Sequence, residues 1–170
     1  SWACLVPLLL VCRSRPPRES FGWGFLAGAI TWLATLSWLT ALRETAGLPP
    51  ALAVGGWVTV ALYCALYTGL FAWTASHWMA WLGTDQVMRN CLSVAVLPLF
   101  WVGLEYARAT VFTGFPWNPL GATQAAHPAV AQVAELGGVY LVSGVLVLFN
   151  AAVAFTLGRY LDWTAWRRYR

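Results

Sequence analysis

Residues 113–124 read TGFPWNPLGATQ, a run rich in glycine, proline and tryptophan that lies between two strongly apolar stretches. Two prolines three residues apart, Pro116 and Pro119, with glycines on both sides, cannot continue a helix. In lipid, irregular backbone must lie at an interface, line a cavity or be buried in protein, because hydrocarbon offers no hydrogen-bond partners. This segment, called the GFPWN loop below, is therefore predicted to do something other than span a membrane.

The composition is that of a membrane protein. The chain has 170 residues, of which 60% are hydrophobic and 9% are charged, whereas soluble domains carry about 25% charged residues. Twelve tryptophans fit the same interpretation, because amphipathic rings collect at the lipid headgroups. All ten cations are arginines, and they lie beside apolar segments rather than in one polar patch, which argues against nucleic acid as a partner.

Five apolar runs predict a single all-α domain over 1–170, a polytopic transmembrane bundle of one partial and four complete spans. The runs are Trp2–Cys12, Phe21–Leu42, Ala51–Leu82, Cys91–Phe112 and Val130–Leu157, followed by a basic, aromatic tail over 159–170. A spanning helix needs about 20 residues. We therefore expect the first run to be the end of a truncated span or a short interfacial piece, rather than a signal peptide.

The arginines predict how the bundle is oriented. One set of alternate connections carries eight of them, Arg13, Arg15, Arg18, Arg89, Arg159, Arg167, Arg168 and Arg170, and the other set carries only Arg43 and Arg108. Positively charged connections stay on the cytoplasmic side of a membrane. The GFPWN loop is therefore expected on the extracytoplasmic side.

Two pairs of polar residues flank the loop. Glu105 and Arg108 are three residues apart, so they share a helix face. They could form an ion pair that fixes the helix end, or contact a lipid headgroup or the loop that gates one. Gln132 and Glu135 have the same spacing, and they would either line a cavity with the first pair or solvate a helix end.

Other candidate chemistry is sparse. His127 precedes a proline and could act as a general base or be an interfacial loop histidine, and His77 falls on the opposite face, so a metal pair is not expected. The cysteines have no metal-binding spacing and are interpreted as small buried hydrophobic residues: Cys4, Cys12, Cys64 and Cys91. Phe115 and Trp117 could be interfacial belt residues, or rings that the glycines and prolines hold at set positions.

Several motifs in the sequence resemble those of a single protein family. They are WVGLEYAR at 101–108, FTGFPWN at 112–118, Gly121, Gln124, and GGVY at 137–140 with Ser143 and Asn150, preceded by GWGFLAG at 22–28 with Trp38. Together they resemble the apolipoprotein N-acyltransferase family over nearly the whole chain. The specific part is the combination Glu-Tyr-x-Arg and Thr-Gly-Phe-Pro-Trp-Asn.

The resemblance implies an enzyme of the bacterial inner membrane. Such enzymes move a phospholipid acyl chain to the amino group of the diacylglyceryl-modified N-terminal cysteine of a lipoprotein. In that family a Glu-Lys-Cys triad of a nitrilase-like periplasmic domain carries a thioester intermediate. The present sequence has no lysine. We therefore expect residues 1–170 to be the transmembrane portion alone, without catalytic residues, metal or cofactor, and inactive by itself.

For this chain, the resemblance implies a substrate-binding loop that borders the path of the phospholipid acyl donor and the lipoprotein acceptor. The residues expected there are Gly114, Phe115, Pro116, Trp117 and Gln124, together with Glu105 and Arg108. A non-catalytic alternative stays open, since the resemblance also allows a membrane anchor that recruits a glycosyltransferase of polyprenol-phosphate mannose synthesis. A small transporter is disfavoured, because no inverted repeat is visible.

Overall fold

The computed structural model describes residues 1–82, 86–112 and 114–168, and every regular element among them is helical. The α-helices are α1 Val6–Ser14, α2 Pro17–Thr35, α3 Leu42–Thr45, α4 Pro50–Trp81, α5 Gln86–Thr110, α6 Pro128–Ala131 and α7 Ala134–Arg168, with 3₁₀ turns over Ser37–Ala41 and Leu120–Gln124. The predicted all-α bundle is confirmed. Thr113 of the GFPWN loop, the side chains of Arg89, Arg167 and Arg168, and Arg170 lie outside the described residues.

Within those residues, three helices are long and apolar enough to cross a membrane. They lie in Pro50–Trp81, Asn90–Thr110 and Ala134–Asp162. A fourth span is counted if α2 and the segment Ser37–Thr45, which are bent by 45° relative to each other, cross together. Three of the four expected spans are therefore each found within one helix, and the bent pair corresponds to the fourth if its two parts cross together.

The bent pair corrects one sequence-based boundary. A single helix was expected over Phe21–Leu42, but α2 ends at Thr35 and a 3₁₀ turn follows. Hydroxyl groups bond back onto the backbone at this point: Thr35 Oγ1 donates to Thr31 O at 2.9 Å and Ser37 Oγ donates to Ala34 O at 2.9 Å. Such bonds compete with the helical pattern and bend helices.

Close contact between α2 and α4 forms one side of the bundle. A Cβ added to Gly28 would lie 2.8 Å from Thr68 Cβ, and one added to Gly24 would lie 2.5 Å from Ala72 Cβ. Real Cβ atoms do not approach so closely, so the two helices meet at these positions only because glycine occupies them. Small residues are what allow helix backbones to approach in membranes.

Helix α1 is short but firmly attached. It covers nine residues rather than the expected Trp2–Cys12. Its amino end is held by Asn150 of α7, whose Oδ1 accepts a hydrogen bond from Leu5 N at 2.9 Å. At the other end, Arg13 forms a salt bridge with Asp162. The buried core, which includes Leu9, Phe71 and Leu97, lies where α1, α4, α5 and α7 meet.

The fifth apolar run is interrupted near its start. Val130–Leu157 was expected to be one span, but α6 ends at Ala131 and α7 begins at Ala134. Gly137 and Gly138 then leave the helical conformation, and Gly138 has a φ of +66°. Only glycine adopts that region without strain. From there α7 continues to Arg168, so much of the expected tail is helical.

Candidate functional site

Arg108 holds the first half of the GFPWN loop. Its Nη1 donates to Phe115 O at 2.6 Å and to Trp117 O at 2.8 Å. The guanidinium carbon lies 4.7 Å from the ring centre of Trp32, a cation–π contact. The side chain is 3% exposed. A buried charge thus fixes the loop backbone directly after the end of α5.

The chain leaves α5 through two residues with positive φ. Phe112 has a φ of +58° and Gly114 a φ of +71°. A Cβ at Gly114 would also overlap Ala109 O, so no other residue fits there without a backbone shift. Phe115 N then donates to Arg108 O at 2.8 Å, which closes the helix end. The predicted break is therefore a specific turn.

Glu105 and Ser143 hold the second half of the loop. Glu105 Oε1 accepts a hydrogen bond from Leu120 N at 2.7 Å, and Ser143 Oγ accepts one from Gly121 N at 2.8 Å. A Cβ at Gly121 would overlap Val139 O. Glycine therefore lets the 3₁₀ turn Leu120–Gln124 approach the backbone of α7.

Glu105 and Arg108 do not form a salt bridge with each other among the described side chains. The ion-pair alternative from the sequence is therefore wrong. Each side chain binds backbone atoms of the loop: Arg108 binds carbonyl oxygens and Glu105 binds an N–H group. Their i, i+3 spacing directs both toward the loop from one helix face.

Gln124 joins the loop to the first residues of the chain. Its Nε2 donates to Ser1 Oγ at 2.7 Å, and its Oε1 accepts a hydrogen bond from Trp2 Nε1 at 3.1 Å. Trp2 in turn meets the ring of Phe149 edge-on, at 5.1 Å between ring centres. The loop is thus tied to α5, to α7 and to the segment that leads into α1.

A partly enclosed cavity of about 320 Å³ lies beside these contacts. It is bounded by the first residues of the chain, α1, α2, α4, α5 and the GFPWN loop. Its apolar lining includes Leu5, Leu8 and Leu104, and its polar lining includes Glu105, Arg108 and Asn118. Small-molecule sites have volumes of about 300–1,000 Å³ and combine apolar walls with a few polar groups, as this cavity does.

A sequence model of the apolipoprotein N-acyltransferase N-terminal domain matches residues 1–152. The chain belongs to this family. Apolipoprotein N-acyltransferase of Geobacter metallireducens is 36% identical over 154 residues, which cover 90% of this chain and 28% of that protein. The Azotobacter vinelandii and Chromobacterium violaceum proteins of the same name are 35% and 33% identical, over 92% and 89% of this chain and 29% and 28% of their own lengths.

The chain therefore spans less than a third of the length of these curated relatives. Its long apolar helices and its relatives identify it as a bacterial membrane protein of an acyltransferase family. None of these relatives carries a glycosyltransferase name, and nothing in the matches supports the anchor alternative.

The residues expected at the substrate site of this N-acyltransferase domain fall into two groups. Glu105 and Arg108 line the cavity. Five others do not: Gly114, Phe115, Pro116, Trp117 and Gln124 shape or attach the loop. Trp117 is half exposed and packs against Trp38, with ring centres 5.4 Å apart. The loop residues in the cavity wall are Asn118, Pro119, Leu120 and Thr123.

Sequence reasoning missed the contribution of α2 and α4 to this cavity. Trp32, Tyr67 and Thr68 line it, yet none was singled out. Their signal was weak, because a tryptophan, a tyrosine or a threonine inside an apolar run also fits a lipid-facing or packed position. Trp101, the first residue of WVGLEYAR, also lines the cavity.

The remaining polar candidates lie elsewhere. Gln132, Glu135 and His127 are exposed and absent from the cavity lining, which agrees with the solvated-helix-end alternative for the first two. The described residues include no group of three His, Cys, Asp or Glu side chains that could hold a metal ion.

The expectation of buried cysteines holds for only half of them. Cys12 and Cys64 are buried, whereas Cys4 and Cys91 are exposed. All four are free thiols. Cys4 and Cys64 line the cavity, where they add small apolar surface.

Proposed function

We propose that this chain is the membrane portion of an enzyme that acylates bacterial lipoproteins. In this proposal, an acyl chain moves from a phospholipid to the amino group of an N-terminal diacylglyceryl-cysteine. Membership of the N-acyltransferase family supports the reaction class. The name that these relatives share, apolipoprotein N-acyltransferase, supports the lipoprotein acceptor.

The cavity is the observation that carries the proposal. Its wall of leucines suits an acyl chain, since burial of apolar chain surface is favourable by about 25 cal/mol per Å². The polar part, formed by Arg108 and Asn118, suits the phosphate or ester groups of a lipid headgroup. A lipid bound this way has its polar end against the GFPWN loop.

The loop itself is assigned a supporting role in substrate binding. Gly114 and Pro116 set its turn, while Phe115 and Trp117 present carbonyl oxygens to Arg108. Gln124 attaches its far end. The half-exposed ring of Trp117 beside Trp38 offers an aromatic edge for lipid chains that approach from the bilayer.

The proposal includes an orientation in the inner membrane. Arginine-rich connections such as 13–18 favour the cytoplasmic side, and this leaves the GFPWN loop on the extracytoplasmic side, where lipoprotein acceptors are found. Residues 1–170 are assigned the binding and orientation of lipids. None of them is assigned a covalent role.

The test uses the full-length protein that contains this chain, purified and supplied with phospholipid and a diacylglyceryl-cysteine peptide. We expect N-acylation of the peptide, detected by mass spectrometry. Trp117→Ala and Gly114→Leu should lower turnover at least tenfold, since they remove the aromatic edge and distort the turn. Trp81→Ala, at an exposed tryptophan near the end of α4, is the control and should keep the wild-type rate. Absence of acylation by the wild-type protein would refute the proposal.

A further inference from the structure

An open groove lies between α2 and α4, at the end of the bundle opposite the GFPWN loop. It is lined by Arg18 and Phe21 of α2 and by Leu70 and Trp73 of α4. All four side chains are at least partly exposed, so a molecule in the surrounding lipid can reach them. Trp32, which lines the cavity beside the loop, lies about 21 Å further along α2 than Arg18. The groove is therefore separate from that cavity.

Arg18 gives the groove a positive charge that no carboxylate neutralises. Nearby, Arg15 is paired with Glu19, with 3.1 Å between Nη1 and Oε2. Arg13 is paired with Asp162. Among the described side chains, Arg18 forms no such salt bridge, and no carboxylate lines the groove. The groove therefore favours an anionic group over a cationic one.

The rest of the groove is aromatic and aliphatic. On α2, Phe21 and Phe25 stack with ring centres 6.2 Å apart and planes at 12°. The ring of Phe21 reaches α4 at Gly69, where an added Cβ would lie only 3.0 Å from it. On α4, Leu70 and Trp73 are each 40% exposed. An acyl chain that lies along these side chains gains van der Waals contact with both helices.

Trp73 indicates the depth at which a lipid headgroup would lie. Its ring stacks on that of His77, with ring centres 5.4 Å apart and planes at 7°. Tryptophan collects at the level of the lipid headgroups. Arginine binds phosphate through two parallel N–H groups. Arg18 and Trp73 thus combine a phosphate-binding group with an aromatic wall for the first part of an acyl chain.

We propose that this groove binds a phospholipid of net negative charge, such as phosphatidylglycerol. The Arg18 guanidinium binds the lipid phosphate, and one acyl chain lies along Phe21, Leu70 and Trp73. A zwitterionic lipid binds less well, because its ammonium group finds no carboxylate in the groove. Basic pockets between transmembrane helices bind anionic headgroups at the cytoplasmic surface, the side on which the proposed orientation places Arg18. The inference goes beyond the proposed function, because this lipid takes no part in acyl transfer.

The test locates the lipid by photolabelling. The full-length protein that contains this chain is placed in phosphatidylcholine nanodiscs with a trace of phosphatidylglycerol that carries a diazirine on one acyl chain. After illumination, label on a peptide covering 66–77 is measured by mass spectrometry, relative to label on a peptide covering 50–62 at the other end of α4. We expect about fivefold more label on 66–77 than from a phosphatidylcholine probe with the same diazirine.

Two pairs of variants test the charge and the aromatic wall. Arg18→Gln should lower labelling by phosphatidylglycerol about fivefold, to the level of the phosphatidylcholine probe, and Arg18→Lys should lower it less. Arg15→Gln is the matched control, because it removes the same charge outside the groove and should change nothing. Trp73→Ala should lower labelling several-fold, whereas Trp23→Ala, at an exposed tryptophan of α2 outside the groove, should not.

Three results would overturn the proposal. The first is equal labelling of 66–77 by the two probes in the wild-type protein. The second is an equal loss in Arg18→Gln and Arg15→Gln, which would show general attraction of anionic lipid to the arginine-rich surface. The third is displacement of the probe by inorganic phosphate at millimolar concentration, which would assign Arg18 to a free anion. Retention of the probe in phosphate, with a loss confined to Arg18→Gln, supports the lipid site.

Discussion

Removal of the Arg108 guanidinium tests whether a single side chain keeps the GFPWN loop docked. Arg108→Met keeps an unbranched chain of similar length and loses every donor. The hydrogen bonds to Phe115 O and Trp117 O, at 2.6 and 2.8 Å, disappear together with the stacking contact on Trp32. Both carbonyl oxygens are then left without that partner.

The expected loss of loop-docking free energy follows from these contacts. Each hydrogen bond from a charged donor contributes about 1.5–3 kcal/mol, and a partly buried cation–π contact contributes about 1–2 kcal/mol. Part of this gain is offset, because Arg108→Met also ends the burial of a charge. We expect a net loss of about 3 kcal/mol in loop docking, equivalent to about a hundredfold rise in the open population.

Opening of the loop can be measured by amide hydrogen exchange with mass spectrometry. A peptide covering 114–124 contains the amides of Leu120 and Gly121, whose bonds to Glu105 and Ser143 break when the loop opens. Exchange of this peptide should become about a hundredfold faster in Arg108→Met. In Arg108→Lys its rate should lie between those of the wild type and Arg108→Met.

The control is Arg15→Met, which removes an exposed salt bridge to Glu19. Such pairs contribute about 0–1 kcal/mol, so exchange of the 114–124 peptide should not change. If Arg108→Met also leaves this exchange within twofold of the wild-type rate, Arg108 does not hold the loop and the assignment of its role is wrong.

Two further changes probe how the loop and α1 are attached, with SDS-induced unfolding as the measurement. Gly121→Ala should destabilise the fold by about 1–3 kcal/mol through overpacking against Val139 O, whereas Gly103→Ala, which has open space, should stabilise α5 by up to about 1 kcal/mol. If Gly121→Ala instead stabilised the fold, the close approach of residue 121 to Val139 O would be disproved. Asn150→Leu removes the acceptor of Leu5 N and should cost about 1–3 kcal/mol. An unchanged unfolding transition would show that Asn150 does not hold the amino end of α1.

Hydropathy and helix breakers predicted the spans well. Ala51–Leu82 differs by one residue at each end from α4, because prolines mark its start and a long apolar run has no competing structure. The end of α2 at Thr35 was missed, since the hydroxyl-to-backbone bonds of Thr35 and Ser37 depend on rotamers that a hydropathy average does not contain. The glycine pair 137–138 carried a signal for the kink in α7 that was not used.

The candidate site was predicted in part. The spacing of Glu105 and Arg108 correctly placed both on one helix face beside the loop. It could not reveal that each binds loop backbone instead of the other, because that depends on how the chain returns after the prolines. The position of Trp32 under the guanidinium could not be read either, since it results from packing between helices distant in sequence.

The cavity has two kinds of wall, and they should respond differently to a lipid. Where Gly28 meets Thr68 of α4, the wall is closed by direct atomic contact, so a bound molecule has no hydrogen bond there to replace. Beside the loop the wall is closed by the hydrogen bonds that Glu105 accepts and Arg108 donates, which phosphate, ester and hydroxyl groups can exchange for their own. We therefore expect the cavity to adapt to different lipid headgroups through movement of the GFPWN loop alone. The contact between α2 and α4 should keep its position.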